Sequence, residues 1–213
     1  MTSHPAAETD TEIDRQTDTL VSLGYPALAG LSEAEFRALV EPLHEPLRAA
    51  VTEDPAPVPE RAPFVLVVNR TLVPVSARVE LVALGGRPGV LNRHFADVDT
   101  FAPILDVPEA PVYAVLDVER GEEFCGVRPA DAAVTIADRG RTPITMDEGL
   151  CFLHASPGAL EKNKCFHTAA SRGTDKRVPA LWISKNAPTL GWCWEHNHHT
   201  WLGVASARTR LVG

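Results

Sequence analysis

The chain of 213 residues lacks the motifs that would place it in several common classes of protein. It contains no CxxC pair, no glycine-rich phosphate loop, no dinucleotide fingerprint, no GxSxG elbow and no HExxH motif. No internal repeat of a solenoid period is present. These absences count against the common nucleotide-binding, hydrolase, zinc-protease and repeat-protein classes.

Long apolar segments and a secretory leader are also missing. No apolar run approaches the roughly 18 residues that a membrane-spanning helix needs, and the first ten residues have neither a basic start nor an apolar core. The four cysteines, at positions 125, 151, 165 and 193, show no disulfide framework. We therefore expect a cytoplasmic protein with reduced thiols and no association with membranes.

Aromatic residues are scarce, at 6% of the chain, but they are unevenly distributed. All four tryptophans lie between Trp182 and Trp201, together with three of the eight histidines. Residues 1–63 hold 12 acidic and 4 basic side chains, whereas residues 161–213 hold 3 acidic and 8 basic ones. The tryptophan-rich end is therefore the basic end, which favours a small anionic ligand there.

Local patterns predict an α+β fold with a mainly antiparallel or mixed sheet and two or three helices, preceded by an N-terminal helical arm. Ser32 and Glu35 form a capping-box pattern that predicts the start of a helix in this arm. Residues 53–63 hold four prolines and predict a linker. We thus expect an acidic helical segment over residues 1–52 and an α+β domain over residues 64–213.

Apolar runs after the linker predict strands at residues 64–68, 72–75, 79–84 and 113–118. Thr145 and Glu148 form a second capping-box pattern, which predicts a helix through about residue 154. The N-terminal helices must bury their apolar stripes on the body, on a second copy or on a partner. The sequence leaves a homodimer formed through these helices open.

Three short β-favouring runs surround the tryptophans, at residues 180–184, 190–195 and 200–206. They predict an antiparallel ribbon in which residues 195–199 form a hairpin loop. Because side chains alternate across a strand, Trp192 and Trp194 should share one face while Cys193 and Glu195 share the other. The aromatic face favours either a cover for the core or a ligand pocket walled by indoles.

Two segments, residues 171–184 and 191–203, resemble an actinobacterial family of cytosolic proteins of unknown function. The signature is SRxxDKRVPALWIS followed by GWCWxxNxHTWLG, and the likeness is strongest over residues 140–208. The resemblance places Cys193, Asn197 and His199 among the shared positions. It implies no reaction.

The leading hypothesis is a small anionic ligand held between the tryptophan ribbon and the basic loop 171–177, by a binding protein or an enzyme. Guanidinium and ammonium groups around a glycine suit a carboxylate or a phosphate. The hypothesis requires a pocket that joins the loop to the ribbon. The predicted ligand-binding residues are Arg172, Asp175, Lys176, Arg177, Trp182, Trp192, Trp194, Asn197 and Trp201.

Two hypotheses give chemistry to the cysteines and histidines. Cys193 could act as a nucleophile with His199 as its base and Glu195 as an orienting or proton-exchanging group. Alternatively, two thiolates and two imidazoles could hold zinc at a site formed by Cys165, His167, Cys193 and His199. A third functional class is single-stranded nucleic-acid binding, since aromatics beside Lys and Arg suit base stacking. The overall acidity of the chain counts against that class.

Overall fold

A computed structural model describes residues 5–52 and 54–213. Residues 1–4 and Glu53, the first residue of the predicted linker, lie outside the described residues. The α-helices are α1 Pro5–Ser22, α2 Tyr25–Leu28, α3 Glu33–Val40, α4 His44–Ala50, α5 Pro129–Asp138 and α6 Met146–Ala155. The strands are β1 Arg61–Val68, β2 Ala83–Leu84, β3 Arg87–Pro88, β4 Val90–Leu91, β5 Ala102–Pro103, β6 Val112–Glu119, β7 Thr142–Pro143, β8 Cys165–His167, β9 Ser171–Arg172, β10 Arg177–Ser184, β11 Ala187–Trp194, β12 Leu202–Val204, β13 Ser206–Ala207 and β14 Thr209–Leu211.

The strands form two five-stranded sheets and two short pairs. The first sheet has the order β1-β6-β13-β7, with β14 also pairing with β6, and the second has the order β12-β8-β10-β11-β4. β1 runs antiparallel to β6, whereas β12 runs parallel to β8. Mixed sheets with separate helices confirm the predicted α+β class.

The first sheet is covered on both faces, which explains the continuous apolar run of β1. Phe64, Leu66 and Val68 pack in one cluster with the N-terminal helices. Val65 and Val67 point the other way, into the cluster that includes the second sheet. The strand therefore joins two separate cores.

The N-terminal helices bury their apolar side chains on the chain's own first sheet. Ile13, Leu20 and Phe36 are fully or almost fully buried in the cluster that contains β1 and β6. The stripe that motivated the homodimer hypothesis is thus used within the chain, and homodimerisation stays a prediction. Across residues 5–52 and 54–213, no helix combines the length and the apolar character that crossing a bilayer requires.

Helix α6 lies at the centre of the molecule, and all ten of its residues are buried. The Thr145 side chain accepts from the Glu148 backbone N–H while the Glu148 side chain accepts in return, which confirms the predicted capping box. Gly149 packs against the second sheet so closely that a Cβ there would lie 2.5 Å from Thr168 Cγ2. The absence of a side chain at this position lets the helix sit between the sheets.

The prediction of strands at residues 72–75 and 79–84 was largely wrong. The chain forms two short 3-10 turns there, Val75–Ala77 and Val79–Leu81, and only its last two residues form β2. Arg78 lies between the two turns, is fully buried and pairs with Asp147. The apolar residues of this segment favour a strand, but the 3-10 turns on either side of Arg78 direct its side chain inward and interrupt the strand.

Candidate functional site

The hairpin of β10 and β11 carries three of the tryptophans. Its two-residue turn is formed by Lys185 and Asn186, which both have positive φ, 51° and 62°. Two positive φ values match the twist of the flanking strands. The rings of Trp192 and Trp194 lie on one side of β11 with centroids 5.0 Å apart, as the predicted alternation requires.

Residues 195–199 do not form a hairpin loop, contrary to the prediction. β12 lies beside β8, at the edge of the second sheet, so the chain after β11 crosses over the sheet. The N–H of Gly126 donates to the carbonyl oxygen of His199 at 2.9 Å, which ties this crossover to the loop before α5. Strands that are neighbours in sequence pair in most sheets, but here β12 pairs with β8 and not with β11.

One cavity, which we call the tryptophan cavity, lies at the edge of β11 and has a volume of about 500 Å³. Its lining residues are Asn92, His94, Trp182, Trp192, Cys193 and Trp201. The Trp182 ring covers Gly191, where a Cβ would lie 2.1 Å from the indole Cη2. The indole N–H of Trp192 donates to the carbonyl oxygen of His94 at 2.8 Å. Three indoles therefore wall a largely apolar space.

The basic loop 171–177 does not line this cavity. The Arg177 guanidinium pairs with Asp97 and, at 2.7 Å, with Asp175, and both carboxylates raise its pKa. It also stacks over the Trp192 ring, 5.2 Å from the centroid. Arg177 thus touches the tryptophans, but its charge is already neutralised.

The other predicted ligand-binding residues outside the ribbon are also occupied or remote. Lys176 Nζ lies 3.6 Å from the Glu195 carboxylate. Arg172, whose pKa is lowered by burial, donates to the carbonyl oxygen of Ser171 at 3.0 Å. Asn197 is exposed and, like Trp194, lines neither this cavity nor the one described below. Ligand roles for these residues stay predictions.

The proposed nucleophile, Cys193, lies in the wall of the tryptophan cavity. Burial raises the pKa of its thiol to about 11, which leaves little thiolate at neutral pH. No hydrogen bond joins this thiol to His199 or Glu195 within the described chain. The His199 ring instead lies 5.4 Å from the Trp201 ring, and its pKa is lowered, first by burial and then by His198. The catalytic roles stay predictions.

The predicted zinc ligands Cys165, His167, Cys193 and His199 are not assembled. In residues 5–52 and 54–213, no group of three or more His, Cys, Asp or Glu side chains could hold a metal ion. Cys165 and Cys193 lie on β8 and β11, which β10 separates, so their strands are about 9–10 Å apart. His167 is buried, with Nδ1 2.9 Å from the carbonyl oxygen of Gly203.

A second cavity, which we call the three-turn cavity, has a volume of about 590 Å³ and shares Trp201 with the first. Its lining residues are Leu84, Gly85, Arg87, Lys162, Asn163, Cys165, Ile183, Lys185, Asn186 and Trp201. Three tight turns meet here, at residues 85–86, 162–163 and 185–186. Each turn contributes one cation.

The three cations of this cavity are unpaired. Arg87, Lys162 and Lys185 form no ion pair with any described residue, and no carboxylate lines the cavity. Lys185 also adopts the left-handed backbone conformation, which costs a residue with a Cβ about 1–2 kcal/mol. Gly or Asn would avoid much of this cost, so Lys185 occupies a position that is conformationally unfavourable for a lysine.

The cavity is not apparent from the sequence alone, because its parts come from three distant turns. The signals were present: Gly85-Gly86, Lys162-Asn163 and Lys185-Asn186 are turn-forming pairs that each contain or precede a cation. Nothing in the sequence, however, indicates that these turns converge. Their convergence depends on the packing of the separate β2–β3 pair against β11, beside the turns that precede β8 and follow β10.

A contrasting set of charged and neutral polar side chains lies in the interior, and we call it the buried polar layer. Its members are Tyr25, Arg78, Tyr113, Asp147, Glu148, His154 and Arg210. Arg210 donates to both carboxylate oxygens of Glu148, at 2.6 and 2.8 Å, and the Tyr113 hydroxyl donates to the same carboxylate at 3.0 Å. The Tyr25 hydroxyl lies 2.9 Å from His154 Nε2. This layer fastens the N-terminal helices and β14 to α6.

Fold and cavities together define an α+β protein with a cation-lined cavity beside an aromatic one. A family model described as "Family of unknown function (DUF5701)" matches residues 19–213, and the chain belongs to this family. The match confirms the resemblance to a domain of unknown function, while the actinobacterial source stays a prediction. No curated protein and no solved structure matches the chain.

Proposed function

We propose that the protein binds a small anionic molecule in the three-turn cavity. The observation that supports this proposal is the convergence of Arg87, Lys162 and Lys185 on a space of about 590 Å³ without a single carboxylate in its lining. This volume lies within the range of small-molecule sites. The anion preference expected from the basic C-terminal segment is thereby assigned to the turns and not to loop 171–177.

Each lining group suits one part of such a ligand. The guanidinium of Arg87 offers a planar fork of donors, and the two lysines offer ammonium point charges. The side-chain amides of Asn163 and Asn186 can donate to remaining oxygens. Because these cations are not held in ion pairs, binding an anion would not first require an internal pair to break.

No specific observation favours either of the two alternative functions, which are the docking of a partner or a second copy by the N-terminal helices and the binding of single-stranded nucleic acid. The amphipathic N-terminal helices use their apolar faces within the chain. Base stacking on the exposed indole of Trp194 would need unpaired cations beside it, yet the neighbouring Lys176 and Arg177 are both in ion pairs.

The proposal is tested by thermal-shift screening against a panel of small carboxylates, phosphate monoesters and sulfonates at low ionic strength. We expect stabilisation by a subset of these anions, and a loss of that stabilisation in the double variant Lys162→Ala/Lys185→Ala. Removing two exposed charges should weaken binding about fivefold to tenfold. The matched control is Lys176→Ala, which removes an exposed lysine that lies outside both cavities.

Two results would contradict the proposal. One is a panel in which no anion stabilises the wild-type protein. The other is stabilisation that the double variant retains in full, or that Lys176→Ala reduces equally, since either would place the anion elsewhere.

A further inference from the structure

We propose that the ligand of the three-turn cavity is an amphipathic anion, whose charged head binds there and whose planar apolar body extends past Trp201 into the tryptophan cavity. This inference rests on the proposed anion site and names the chemical class of its ligand. The geometry that points to it is the position of Trp201, which lines both cavities.

The two cavities adjoin at Trp201, which lines both of them. Trp182, which lines the tryptophan cavity, packs against Trp201. The Trp182 and Trp201 rings meet edge-on, with centroids 6.4 Å apart. The boundary between the cavities is therefore a pair of indoles, a surface that a flat apolar group can lie against.

The tryptophan cavity suits a ring or an acyl group and not a second anion. Its lining holds no lysine, arginine, aspartate or glutamate. Burial keeps the Cys193 thiol protonated at neutral pH and therefore uncharged. The indole N–H groups of Trp182 and Trp201 form no hydrogen bond with the described residues, so each can donate to a polar atom of a ligand.

The volumes also suit a ligand in two parts. About 590 Å³ surrounds the cations and about 500 Å³ lies between the indoles. A simple inorganic anion would leave the aromatic space unfilled, and burial of an aromatic body there would add affinity in proportion to its apolar area. A matched set of probes separates the two contributions: acetate has only a head, 2-naphthalenemethanol has only a body, and 2-naphthoate has both.

The first measurement follows the four indole N–H signals of the wild-type protein in ¹H–¹⁵N spectra during titration with each probe. Acetate should move the signal of Trp201 alone, whereas 2-naphthoate should move those of Trp182, Trp192 and Trp201. Trp194 lines neither cavity and serves as the internal control, with the smallest shift. We expect 2-naphthoate to bind at least about tenfold more tightly than acetate or 2-naphthalenemethanol.

Two variants assign these affinities to their cavities. Cys193→Met fills part of the tryptophan cavity and should weaken 2-naphthoate about fivefold or more while leaving acetate unchanged. Lys162→Ala/Lys185→Ala should weaken both anions and spare 2-naphthalenemethanol. If Cys193→Met fails to fold, the wild-type indole shifts still decide the question.

The outcomes separate the inference from the function it rests on. Suppose that 2-naphthoate and acetate bind with equal affinity, that both affinities fall in the double lysine variant, and that both probes shift only the indole signal of Trp201. The anion site is then supported and the two-part ligand is overturned. If the affinities of both anions are unaffected by the loss of the lysines, the anion site itself is overturned and the two-part ligand with it.

Discussion

The buried polar layer and the three-turn cavity use the same kinds of charge in opposite ways. In the layer, Arg78 is fully buried and pairs with Asp147, and Arg210 pairs with both oxygens of Glu148. In the cavity, the cations are exposed and unpaired. A buried charge without a partner would cost several kcal/mol, whereas an exposed cation keeps its water until a ligand replaces it.

This difference separates charges that hold the fold from charges that remain free to bind. The layer connects the N-terminal helices, α6 and β14, so its loss should unfold the protein. The cavity lies at the tips of turns, so its loss should leave the fold intact and change recognition. Three substitutions or titrations test the contrast, beginning with the layer.

Asp147→Ala should have the largest effect, because it leaves the buried Arg78 guanidinium without its carboxylate. Breaking a buried ion pair from one side costs about 3–5 kcal/mol. Urea denaturation at pH 7 measures the loss in the free energy of unfolding. The control is Glu195→Ala, which breaks a half-exposed pair with Lys176 and should cost about 1 kcal/mol or less. Equal losses for the two variants would mean that the buried ion pair stabilises the fold no more than an exposed one does.

Acidification should have the second-largest effect, by weakening the buried polar layer. Burial lowers the pKa of His154 from 6.5 to about 3, with the nearby Arg78 charge as a smaller cause. The unfolded chain therefore takes up the proton first, so the stabilisation is complete above about pH 6.5 and is lost as pH falls towards 3. The loss is at most about 1.4 kcal/mol per pH unit, or about 2–3 kcal/mol between pH 6.5 and 4.5.

Urea midpoints at pH 7, 5.5 and 4.5 measure this slope in the wild type and in His154→Gln. Buried His167, whose pKa burial lowers to about 4, contributes to both proteins alike, as do the carboxylates. The difference between the two proteins therefore isolates His154. Parallel curves would mean that the imidazole is not held neutral by the layer.

Sequence patterns predicted the local elements of this fold well. Both capping boxes, Ser32 with Glu35 and Thr145 with Glu148, are present with reciprocal hydrogen bonds. A capping box depends on residues three apart, and a strand's apolar run depends on its immediate neighbours, so both lie within reach of the sequence.

Contacts between distant segments could not be predicted in the same way. The inward turn of Arg78 depends on Asp147, which lies 69 residues further along the chain. The crossover at residues 195–201 depends on the free edge of β8. Tryptophan density in the sequence drew attention to Trp182, Trp192 and Trp201, which line the tryptophan cavity, and their ligand-binding roles stay predictions. The cations of the three-turn cavity come from turns that no local pattern brings together.

Lys185→Gly should have the smallest effect on stability, and the effect should have the opposite sign to that of Asp147→Ala. Lys185 has a φ of 51°, a region that glycine enters without steric cost. Relief of this cost should raise the free energy of unfolding by up to about 1 kcal/mol. The same change removes one cation of the three-turn cavity and should weaken anion binding about twofold to fivefold.

Urea denaturation and anion titration on the same preparation measure the two effects. The control is Ser184→Gly, one position earlier at the exposed end of β10, because it introduces a glycine without removing a charge. A variant that is more stable and binds less tightly would mean that the lysine is kept for recognition at the expense of the turn. A Lys185→Gly variant that binds anions as well as the wild type would instead make Lys185 an ordinary surface residue, and the contrast between paired and unpaired charges would then rest on Arg87 and Lys162 alone.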